Sequence, residues 1–446
     1  MPKILTKKIL HLTPHLGGGV GKVLLNYLAK TKNRSAFIHQ VACLDYANAA
    51  AQKAMKLVGL EFFDRLTNQL SRLLKMIREA DLVLIHWWNH PLLYDFLVRT
   101  PLPPCRLIMW SHTAGFHPPY VFTRKVLLYP DLFVLATPIS LETKEIKNLS
   151  EQQKKSLRLV WSSGGIEQTV LVKPRKHAGF NIGYLGTVDY AKLHPNFLKI
   201  CAKINIPEAK FVVCGGPSEG AIKKEAAKLG LADKFQFTGP VSDVAAYFST
   251  FDIFGYPLAS YHYGSCDQVL AESMAAGVVP VVLANRMEKY MVQNGVTGLV
   301  AKNENDYIQA VRKLYTDKAL RKTLLLKARK YAAKTFSLDK MIQDWGKVFE
   351  ETLALPKTPK IWETSSKSEQ VSAASVFLES LGDYGQSFSG YYRAKSAEDR
   401  NKAEKKIIQL AANSVIWKAE TRGTAHHYHS FFPRDEYLAF WSKITR

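Results

Sequence analysis

One carboxylate stands out in a stretch of small and apolar residues, YGSCDQVLAESMAAGVVPVV, which runs from Tyr263 to Val282. A small-residue loop precedes a helix-like segment that carries Glu272, and Gly277 and an apolar, strand-like segment follow. A carboxylate accepts two hydrogen bonds from adjacent hydroxyls, which is how acidic residues hold a ribose. The unpaired N–H groups at a helix N-terminus attract anions. These residue types suit a ligand with hydroxyls and phosphates; a buried Glu272 satisfied by its neighbours is the alternative.

A glycine-rich loop near the start of the chain lies between a strand-like and a helix-like segment, in HLTPHLGGGVGKVLLNYL (His11–Leu28). Glycines let a backbone approach a ligand closely, and the following helix N-terminus attracts anions. A Walker A loop is not predicted, because its first glycine and its hydroxyl position hold Leu16 and Val23. The dinucleotide spacing G-x-G-x-x-G is also incomplete. We interpret Gly18 and Gly19 as candidate ligand contacts, with a tight turn that binds nothing as the alternative.

Two histidines and one lysine lie at or after the ends of strand-like segments, where parallel sheets place ligand contacts. His112 lies in RLIMWSHTAGF, His86 ends LVLIH, and Lys192 lies in IGYLGTVDYAKLHPNF. A lone histidine is usually structural, and a lone lysine is usually a solvated surface group. Residue type alone therefore leaves both interpretations open.

Strand-like and helix-like segments alternate in two runs, which is typical of βα units on parallel sheets. The basic stretch VKPRKHAG (Val172–Gly179) separates the runs. We predict an α/β protein with two Rossmann-like, doubly wound domains, over residues 1–176 and 177–354. The strand-like segments are Lys8–Leu12, Phe37–Cys43, Leu82–His86, Arg106–Ser111, Asp131–Leu135 and Arg158–Trp161, then Asn181–Leu185, Phe211–Gly215, Phe235–Thr238, Asp252–Tyr256, Val278–Leu283 and Gly298–Ala301.

Residues 355–446 differ from the two predicted domains. The segment PKTPKIWETSSKSEQVSAAS is polar and linker-like, and a helix with a capping box at Ser396 and Asp399 follows. The end of the chain is strongly aromatic, which predicts either packing against the first domain or self-association as a homo-oligomer. Its three histidines, His426, His427 and His429, stand alone and are a weak metal-site signal. We predict a linker and a helical, aromatic C-terminal extension.

The chain is strongly basic, with a formal net charge of +23 over 446 residues. Met1–Lys176 contain 25 Lys and Arg against 11 Asp and Glu, or +14, so the excess is concentrated at the N-terminal end. Such a balance favours an anionic partner, which would be nucleic acid, acidic lipid headgroups or a phosphorylated substrate. Solubility alone is the alternative.

The length of the apolar runs and the number of cysteines indicate in which cellular compartment the protein is expected. The longest apolar runs are under about ten residues, far short of the roughly 20 that span a bilayer. The N-terminus lacks the apolar stretch of a secretion signal. Five widely spaced cysteines without a CxxC pair support neither a disulfide framework nor a zinc site. We therefore expect a cytoplasmic protein.

Two adjacent segments, GPVSDVAAYFSTFDIFGYPL and YGSCDQVLAESMAAGVVPVV, resemble the nucleotide-sugar domain of family 4 glycosyltransferases. KFVVCGGP (Lys210–Pro217) and NGVTGLVAKNENDYIQAV (Asn294–Val311) are similar to further elements of that domain. The resemblance covers Lys8–Leu353 and is strongest over Gly183–Val311. It implies a GT-B fold, with two Rossmann-like domains facing a cleft. It also implies a retaining transfer of a sugar from a nucleotide diphosphate to an acceptor hydroxyl.

The resemblance assigns roles to the candidate residues. Glu272 would hold the ribose, Lys192 would neutralise the diphosphate leaving group, and His112 would face the donor sugar, so these three are the predicted catalytic residues. Val241 would contact the base through its backbone. The predicted donor-binding residues are Gly18, Gly19, Gly186, Thr187, Val241, Ser265, Cys266, Asp267, Val269 and Glu272.

The chain departs from the family pattern at two positions. The family's first glutamate, which helps hold the transferred sugar, corresponds to Gly264, and its usual arginine beside the lysine corresponds to Tyr184. Asp267 lies three residues after Gly264, so we expect it either to bind sugar hydroxyls or to cap the helix. With one cation instead of two, hydrogen bonds from Thr187 and the Gly186 backbone would support the diphosphate.

The resemblance also predicts partners and excludes a cofactor. Leaving-group stabilisation in this fold uses protein groups, and no DxD motif occurs in an apolar loop, so no metal and no cofactor are expected. The acceptor would be a glycan or a lipid-linked glycan at an anionic membrane surface. WWNHPLLYDFLVR (Trp87–Arg99) and HPPYVFTRKVLLYP (His117–Pro130) suit interfacial contact and core packing equally.

Two other functions compete with sugar transfer. The charge would suit a nucleic-acid-binding protein, but no RNA-recognition, zinc-finger or helix-turn-helix signature is present, so no nucleic-acid partner is predicted. Gly264 and Tyr184 lend weight to a non-catalytic GT-B-like scaffold or partner subunit.

Overall fold

The structure is a computed structural model that describes residues 6–32, 36–162, 165–262, 264, 267–363 and 371–446. It divides into two compact units. The first unit consists of Met1–Trp161 together with Ile342–Arg446, and the second unit consists of Ser162–Met341.

The strands are short and most are buried on both faces, which is usual for parallel sheets covered by helices. In chain order they are β1 (Lys7–Thr13), β2 (Phe37–Cys43), β3 (Phe62–Phe63), β4 (Leu82–Trp87), β5 (Leu102–Cys105), β6 (Leu107–Ser111), β7 (Phe116–His117), β8 (Tyr120–Val121), β9 (Leu132–Leu135), β10 (Leu157–Leu159), β11 (Phe180–Leu185), β12 (Ala209–Cys214), β13 (Phe235–Gly239), β14 (Ile253–Tyr256), β15 (Val279–Leu283), β16 (Leu299–Ala301) and β17 (Thr358–Lys360).

Helices connect most of the strands. They are α1 (Gly18–Thr31), α2 (Ala49–Val58), α3 (Leu70–Glu79), α4 (Pro91–Arg99), α5 (Arg124–Leu128), α6 (Lys144–Lys147), α7 (Glu151–Lys154), α8 (Glu167–Val170), α9 (Phe197–Ile204), α10 (Glu219–Lys228), α11 (Val244–Phe248), α12 (Gln268–Ala276), α13 (Glu288–Met291), α14 (Glu304–Thr316), α15 (Lys318–Thr335), α16 (Leu338–Leu353), α17 (Ala373–Leu381), α18 (Gln386–Arg393), α19 (Ala397–Asn413), α20 (Ala425–Phe431) and α21 (Glu436–Ile444).

The first unit is built on a parallel sheet of seven strands in the order β10-β9-β6-β4-β1-β2-β3. Every residue of β4 is buried, which agrees with its central place in the sheet. The strand order reverses between β1 and β4, so the ends of these strands form the kind of switch point at which doubly wound folds bind ligands. The glycine-rich loop follows β1, and His112 follows β6, which is the neighbour of β4 in the sheet. The strand order therefore places both at the same edge of the first sheet.

The C-terminal part of the chain is anchored to the first unit. β17 pairs antiparallel with β5, so part of the predicted linker belongs to a small sheet. The hydroxyl of Tyr428 donates to the side-chain oxygen of Asn89 at 3.1 Å, and the rings of His90 and Phe431 make an edge contact. The described part of the extension is therefore helical and packs against the region around α4. Its predicted role in self-association stays a prediction.

The second unit is built on a parallel sheet of six strands in the order β13-β12-β11-β14-β15-β16. The sequence pattern changes near residue 176, but the packing changes earlier, because α8 (Glu167–Val170) packs on α12 within the second unit. At the other end, Trp345 of α16 packs on Trp110 of β6, with ring centroids 5.0 Å apart, and so belongs to the first unit.

The structure also decides between the two interpretations of the aromatic segments. Trp87, Leu93 and Phe122 are fully buried, and most other large apolar residues of Trp87–Arg99 and His117–Pro130 are buried. Core packing, rather than an interfacial contact, therefore accounts for these side chains. Among the described residues, no helix combines the length and the apolarity needed to cross a bilayer.

Candidate functional site

Glu272 lies in the middle of α12, a helix that is buried along almost its whole length. Its residues Val269–Ala276 are all buried, and Glu272 is 3% exposed. Gly277 ends the helix with φ of 79°, a left-handed conformation that glycine adopts without strain. An added Cβ there would lie 2.6 Å from Nε of Arg329. Close packing therefore explains why a glycine follows this buried helix. The same packing holds the Glu272 carboxylate in the interior of the second unit.

Lys192 and Asp267 form a buried ion pair beside the start of this helix. The Lys192 Nζ lies 3.0 Å from Asp267 Oδ1, and the two side chains are 10% and 6% exposed. The same Nζ lies 5.3 Å from the ring centroid of Tyr256. Burial opposes ionisation of Asp267, but the charges of Lys192 and His262 outweigh burial and hold its pKa below the ordinary value. Asp267 occupies the N-cap position of α12 without a capping hydrogen bond from its side chain.

His262 and Glu288 extend the ion pair into a buried cluster. The His262 Nε2 lies 2.7 Å from Glu288 Oε1, and the side chains are 3% and 0% exposed. Burial raises the pKa of Glu288, although His262 opposes the shift. Burial lowers the pKa of His262, but the carboxylates of Glu288 and Asp267 reverse that effect and leave it raised. The cluster therefore combines the Lys–Asp ion pair with an imidazole and a carboxyl group whose pKa values are both raised.

Among the described residues, this cluster is the one place where three side chains of the kinds that bind metal ions come close together. One ligand atom each from His262, Asp267 and Glu288 lie within 4.8 Å of one another. The Lys192 ammonium already supplies a positive charge to Asp267 at this place. A divalent cation would therefore have to displace Lys192 from its carboxylate, and buried charges of like sign are costly.

Glycines tie together the loops that follow β11, β12 and β13. The N–H of Gly186 donates to the carbonyl of Cys214 at 3.0 Å, and the N–H of Gly215 donates to the carbonyl of Gly239 at 2.8 Å. A Cβ on Gly186 would lie 3.8 Å from the Lys192 Nζ. The predicted hydrogen bond from the Gly186 N–H to a diphosphate is therefore not available, because that N–H extends the β11–β12 ladder.

The other predicted residues of the second unit have separate environments. The carbonyl of Thr187 accepts a hydrogen bond from the Tyr184 hydroxyl at 2.6 Å. Val269 is buried in the first turn of α12, and Val241 is half-buried after β13. Ser265 and Cys266 lie outside the described residues.

In the first unit, Gly18 and Gly19 begin α1 and leave open space around their backbone. A Cβ on either residue would meet no atom within 4 Å. Gly18 has φ of 61°, which favours glycine. The backbone of this loop is therefore open to its surroundings, and the role of Gly18 and Gly19 in binding stays a prediction.

His112 is the last member of a hydrogen-bonded row of four imidazoles, which we call the imidazole row: His39, His11, His86 and His112. His39 Nδ1 lies 2.9 Å from His11 Nε2, His11 Nδ1 lies 3.1 Å from His86 Nε2, and His86 Nδ1 lies 3.1 Å from His112 Nε2. Burial lowers the pKa of His39 to about 4 and that of His86 to about 3. The row therefore stays uncharged at neutral pH.

The neutral imidazoles predict a loss of stability in mild acid. The ordinary pKa of histidine is 6.5, and the pKa of His39 in the folded protein is about 4. Between pH 6.5 and pH 4 this histidine is therefore protonated in the unfolded chain and neutral in the folded protein. The free energy of unfolding is thus unaffected by this histidine above pH 6.5. Below pH 6.5 it declines as the pH falls, by up to about 1.4 kcal/mol per pH unit for each such histidine. Urea unfolding of His39→Phe should show a weaker decline between these pH values than the original protein; an identical decline would contradict the assignment.

Two of the three C-terminal histidines, His426 and His427, form hydrogen bonds within the extension. His426 Nε2 lies 3.2 Å from the hydroxyl of Thr445, and His427 Nδ1 accepts from the N–H of Gly423 at 2.9 Å. These contacts stabilise the helical extension and provide a structural reason for both residues.

Comparison with known families decides what the second unit is. The sequence model of the glycosyl transferases group 1 family matches residues 172–333, within the second unit. These residues form a group 1 glycosyltransferase domain. A search of curated proteins finds no match to the chain.

Solved structures extend the likeness to both units at low identity. A glycosyltransferase from Rickettsia africae is 14% identical with a TM-score of 0.64, over 78% of this chain and 99% of that one. HepE of Anabaena in complex with UDP-glucose is 15% identical with a TM-score of 0.61, over 77% and 99%. A sucrose-phosphate synthase from Thermosynechococcus elongatus is 14% identical with a TM-score of 0.60, over 78% and 99%. The likeness confirms the predicted GT-B fold with two parallel Rossmann-like sheets.

The packing around Gly264 accounts for the glycine at this position of the glycosyltransferase domain, where the family pattern has a glutamate. A Cβ on Gly264 would lie 2.9 Å from Asp267 Oδ1 and 3.0 Å from Asp267 Oδ2. The carboxylate of Asp267 thus occupies the space in which a side chain at position 264 would begin. A glutamate at 264 and Asp267 in its present position exclude each other.

Gly264→Ala should therefore disturb the ion pair of the glycosyltransferase domain. The added methyl group pushes the Asp267 carboxylate away from Lys192, and overpacking of this kind costs about 1–3 kcal/mol. We expect a lower melting temperature and reduced turnover, measured by calorimetry and by release of the nucleotide product. Gly220→Ala is the control, because Gly220, like Gly264, has no positive φ, and an added Cβ there meets no atom within 4 Å. Turnover as high as that of the control would contradict this reading.

Sequence reasoning did not identify His262 and Glu288 in the glycosyltransferase domain. His262 lies just before the predicted motif and Glu288 lies in a short helix after β15. Neither spacing corresponds to a known motif, so only the buried contacts in the fold reveal them.

Proposed function

We propose that this protein is a retaining glycosyltransferase that transfers a sugar from a nucleotide diphosphate to a hydroxyl of a glycan, lipid-linked or other acceptor. The observation that carries the proposal is the family match over the second unit together with Lys192, Asp267 and the N-terminal half of α12 clustered at one place in it. The relatives bound to UDP and UDP-glucose make uridine diphosphate sugars the first donors to test.

Lys192 is assigned the stabilisation of the leaving diphosphate. Negative charge builds on the departing phosphate oxygens in an oxocarbenium-like transition state, and a preorganised cation lowers that barrier without reorganising. Asp267 holds the ammonium at 3.0 Å, which fixes its position before the donor arrives. The N–H groups at the start of α12 add partial positive charge.

Glu272, Asp267 and His112 are assigned contacts with the sugars of the donor. Glu272 accepts hydrogen bonds from the two ribose hydroxyls. Asp267, whose carboxylate takes the place of a side chain at position 264, accepts from hydroxyls of the transferred sugar. His112 hydrogen-bonds to the same sugar. No step in this scheme uses a metal ion.

The direct test is a donor screen followed by product analysis. Thermal-shift measurements with UDP-, GDP- and ADP-glucose should show stabilisation by one base, since a ligand at 100 times its Kd adds about 2.7 kcal/mol. The anomeric configuration of the product, read by NMR, should match that of the donor. Failure of all nucleotide sugars to stabilise the protein, or an inverted product, would contradict the proposal. Addition of a chelator should leave turnover unchanged.

A non-catalytic scaffold is the alternative that one observation favours. The Lys192 ammonium is engaged by a buried carboxylate, and Tyr184, at the family's usual arginine position, is 2% exposed. Binding of UDP-glucose without hydrolysis or transfer to any offered acceptor would support the scaffold.

We further propose that the basic first unit meets its acceptor at an anionic membrane surface through charge, since Trp87, Tyr94 and Phe122 of its aromatic segments are buried. Vesicles containing phosphatidylserine should sediment the protein at low ionic strength, and salt should release it because exposed charges are screened. Vesicles of phosphatidylcholine alone are the control. No sedimentation at low ionic strength would remove the membrane from the proposal.

A further inference from the structure

The imidazole row follows one diagonal of the first sheet, from β2 through β1 and β4 to the residue after β6. In the β1–β2 register Ile9 lies opposite His39, and His11 comes two residues later. His11 lies opposite Leu84, two residues before His86, and His86 lies opposite Trp110, two residues before His112. A step of two residues keeps side chains on the same face of a sheet. The alignment is therefore a property of the whole sheet and not of one loop.

Each contact in the row joins Nδ1 of one ring to Nε2 of the next. A neutral imidazole has one N–H and one lone pair, so each contact needs one donor and one acceptor. The three contacts must then all run in the same direction. Either every Nδ1 donates, from His39 toward His112, or every Nε2 donates, from His112 toward His39.

The free end of the row decides between these directions. His39 Nε2 is buried and has no hydrogen-bond partner. Its ring lies among the aromatic rings of Tyr27, Phe37 and Phe349, with centroids 5.5–6.5 Å away. If every Nε2 donated, this nitrogen would carry a buried N–H without an acceptor, which is among the rarest defects in folded proteins. If every Nδ1 donates, His39 Nε2 carries only a lone pair that accepts no hydrogen bond.

We propose that the imidazole row fixes His112 as the Nδ1–H tautomer, with its Nε2 lone pair held by His86. His86 is then a positioning residue, and His11 and His39 orient His86. Burial keeps the pKa values of all four histidines below the ordinary value, so each ring remains neutral, as the single direction requires.

The fixed tautomer gives His112 one role toward a ligand. Its Nδ1 carries a hydrogen and donates, and neither nitrogen is available as a base. If His112 faces the donor sugar, a part that rests on the proposed function, it contributes a neutral hydrogen-bond donor to a sugar oxygen.

The test reads the tautomer directly and uses three replacements of His86. Imidazole ¹⁵N shifts of protein labelled on histidine distinguish the Nδ1–H from the Nε2–H form, with the His112 signals assigned by His112→Ala. His86→Leu removes the contact to His112. His86→Asn places an amide N–H near the former Nδ1 and restores a donor, whereas His86→Gln places it near Nε2 and does not. His90→Asn is the control, because His90 is buried, caps α4 and lies outside the row.

We expect the Nδ1–H form in the original protein, in His86→Asn and in the control. In His86→Leu and His86→Gln we expect the Nε2–H form to appear, with turnover lower by about tenfold, the value of one misdirected hydrogen bond. An Nε2–H tautomer in the original protein, or an unchanged tautomer in His86→Leu, would overturn the inference. The tautomer is read without substrate, so a correct tautomer combined with full turnover of His112→Ala would instead remove His112 from the proposed function. The first measurement needs no variant of His86 and holds even if one fails to fold.

Discussion

Glu272→Gln is expected to weaken binding of the nucleotide by about 100-fold, with kcat/KM falling at least as much. The amide keeps the shape of the side chain but loses the charge that strengthens two hydrogen bonds from ribose hydroxyls, each worth about 1.5–3 kcal/mol to a charged acceptor. A 100-fold change in Kd corresponds to about 2.7 kcal/mol, well within that range. Calorimetric titration with UDP measures the Kd, and turnover of UDP-glucose measures kcat/KM.

The control for this variant removes a carboxylate from another helix of the same unit. Glu304→Gln lies in the first turn of α14, where Glu304 accepts a hydrogen bond from Asn196 at 2.8 Å. It should leave the Kd for UDP unchanged. If Glu272→Gln binds UDP as tightly as this control, the carboxylate does not hold the ribose, and Glu272 is only a buried structural residue.

Lys192→Met should have two separable effects, a loss of stability and a loss of turnover. Removing one partner of a buried ion pair leaves an uncompensated charge and costs about 3–5 kcal/mol. Here the stranded charge is the Asp267 carboxylate, which is 6% exposed and lies next to Glu288. The loss of a preorganised group that stabilises developing charge lowers kcat by a further 10²–10³-fold, roughly.

A double variant separates the two roles of Lys192. Lys192→Met combined with Asp267→Asn removes both charges together, so stability should return close to that of the original protein while turnover stays low. Urea unfolding and steady-state kinetics measure the two quantities on the same samples. Lys199→Met, which replaces an exposed lysine of α9, should change neither. Recovery of turnover together with stability in the double variant would show that Lys192 serves only to neutralise Asp267.

The alternation of apolar segments was enough to predict most of the sheet framework. The predicted strand Phe37–Cys43 is β2 as observed, and the predicted Phe235–Thr238 is β13 with one residue added. Buried parallel strands are short apolar runs, and local sequence specifies such runs directly. The strands β3, β5, β7, β8 and β17 were missed because each is short and lies at a sheet edge or in a two-stranded sheet.

The ion pair at the candidate site was not predictable in the same way. Lys192 and Asp267 were each singled out, but they are separated by 75 residues and meet only because β11 and β14 are neighbours in the second sheet. Asp267 was expected to cap its helix or to bind sugar hydroxyls. Its side chain makes no capping bond, because Lys192 draws it away, and its contact with a sugar stays a prediction.

The amino-acid sequence by itself determined the class of fold, the resemblance to sugar-transferring enzymes and the positions of Glu272, Lys192 and His112 at the ends of strands and in a helix. These depend on local periodicity and on short motifs, which are written in consecutive residues. Tertiary structure decided which distant groups meet: Lys192 with Asp267, His262 with Glu288, and His112 with three other imidazoles. The physical reason is that hydrogen bonds and ion pairs act over about 3 Å, and only the strand order and register bring residues that are remote in sequence within that distance.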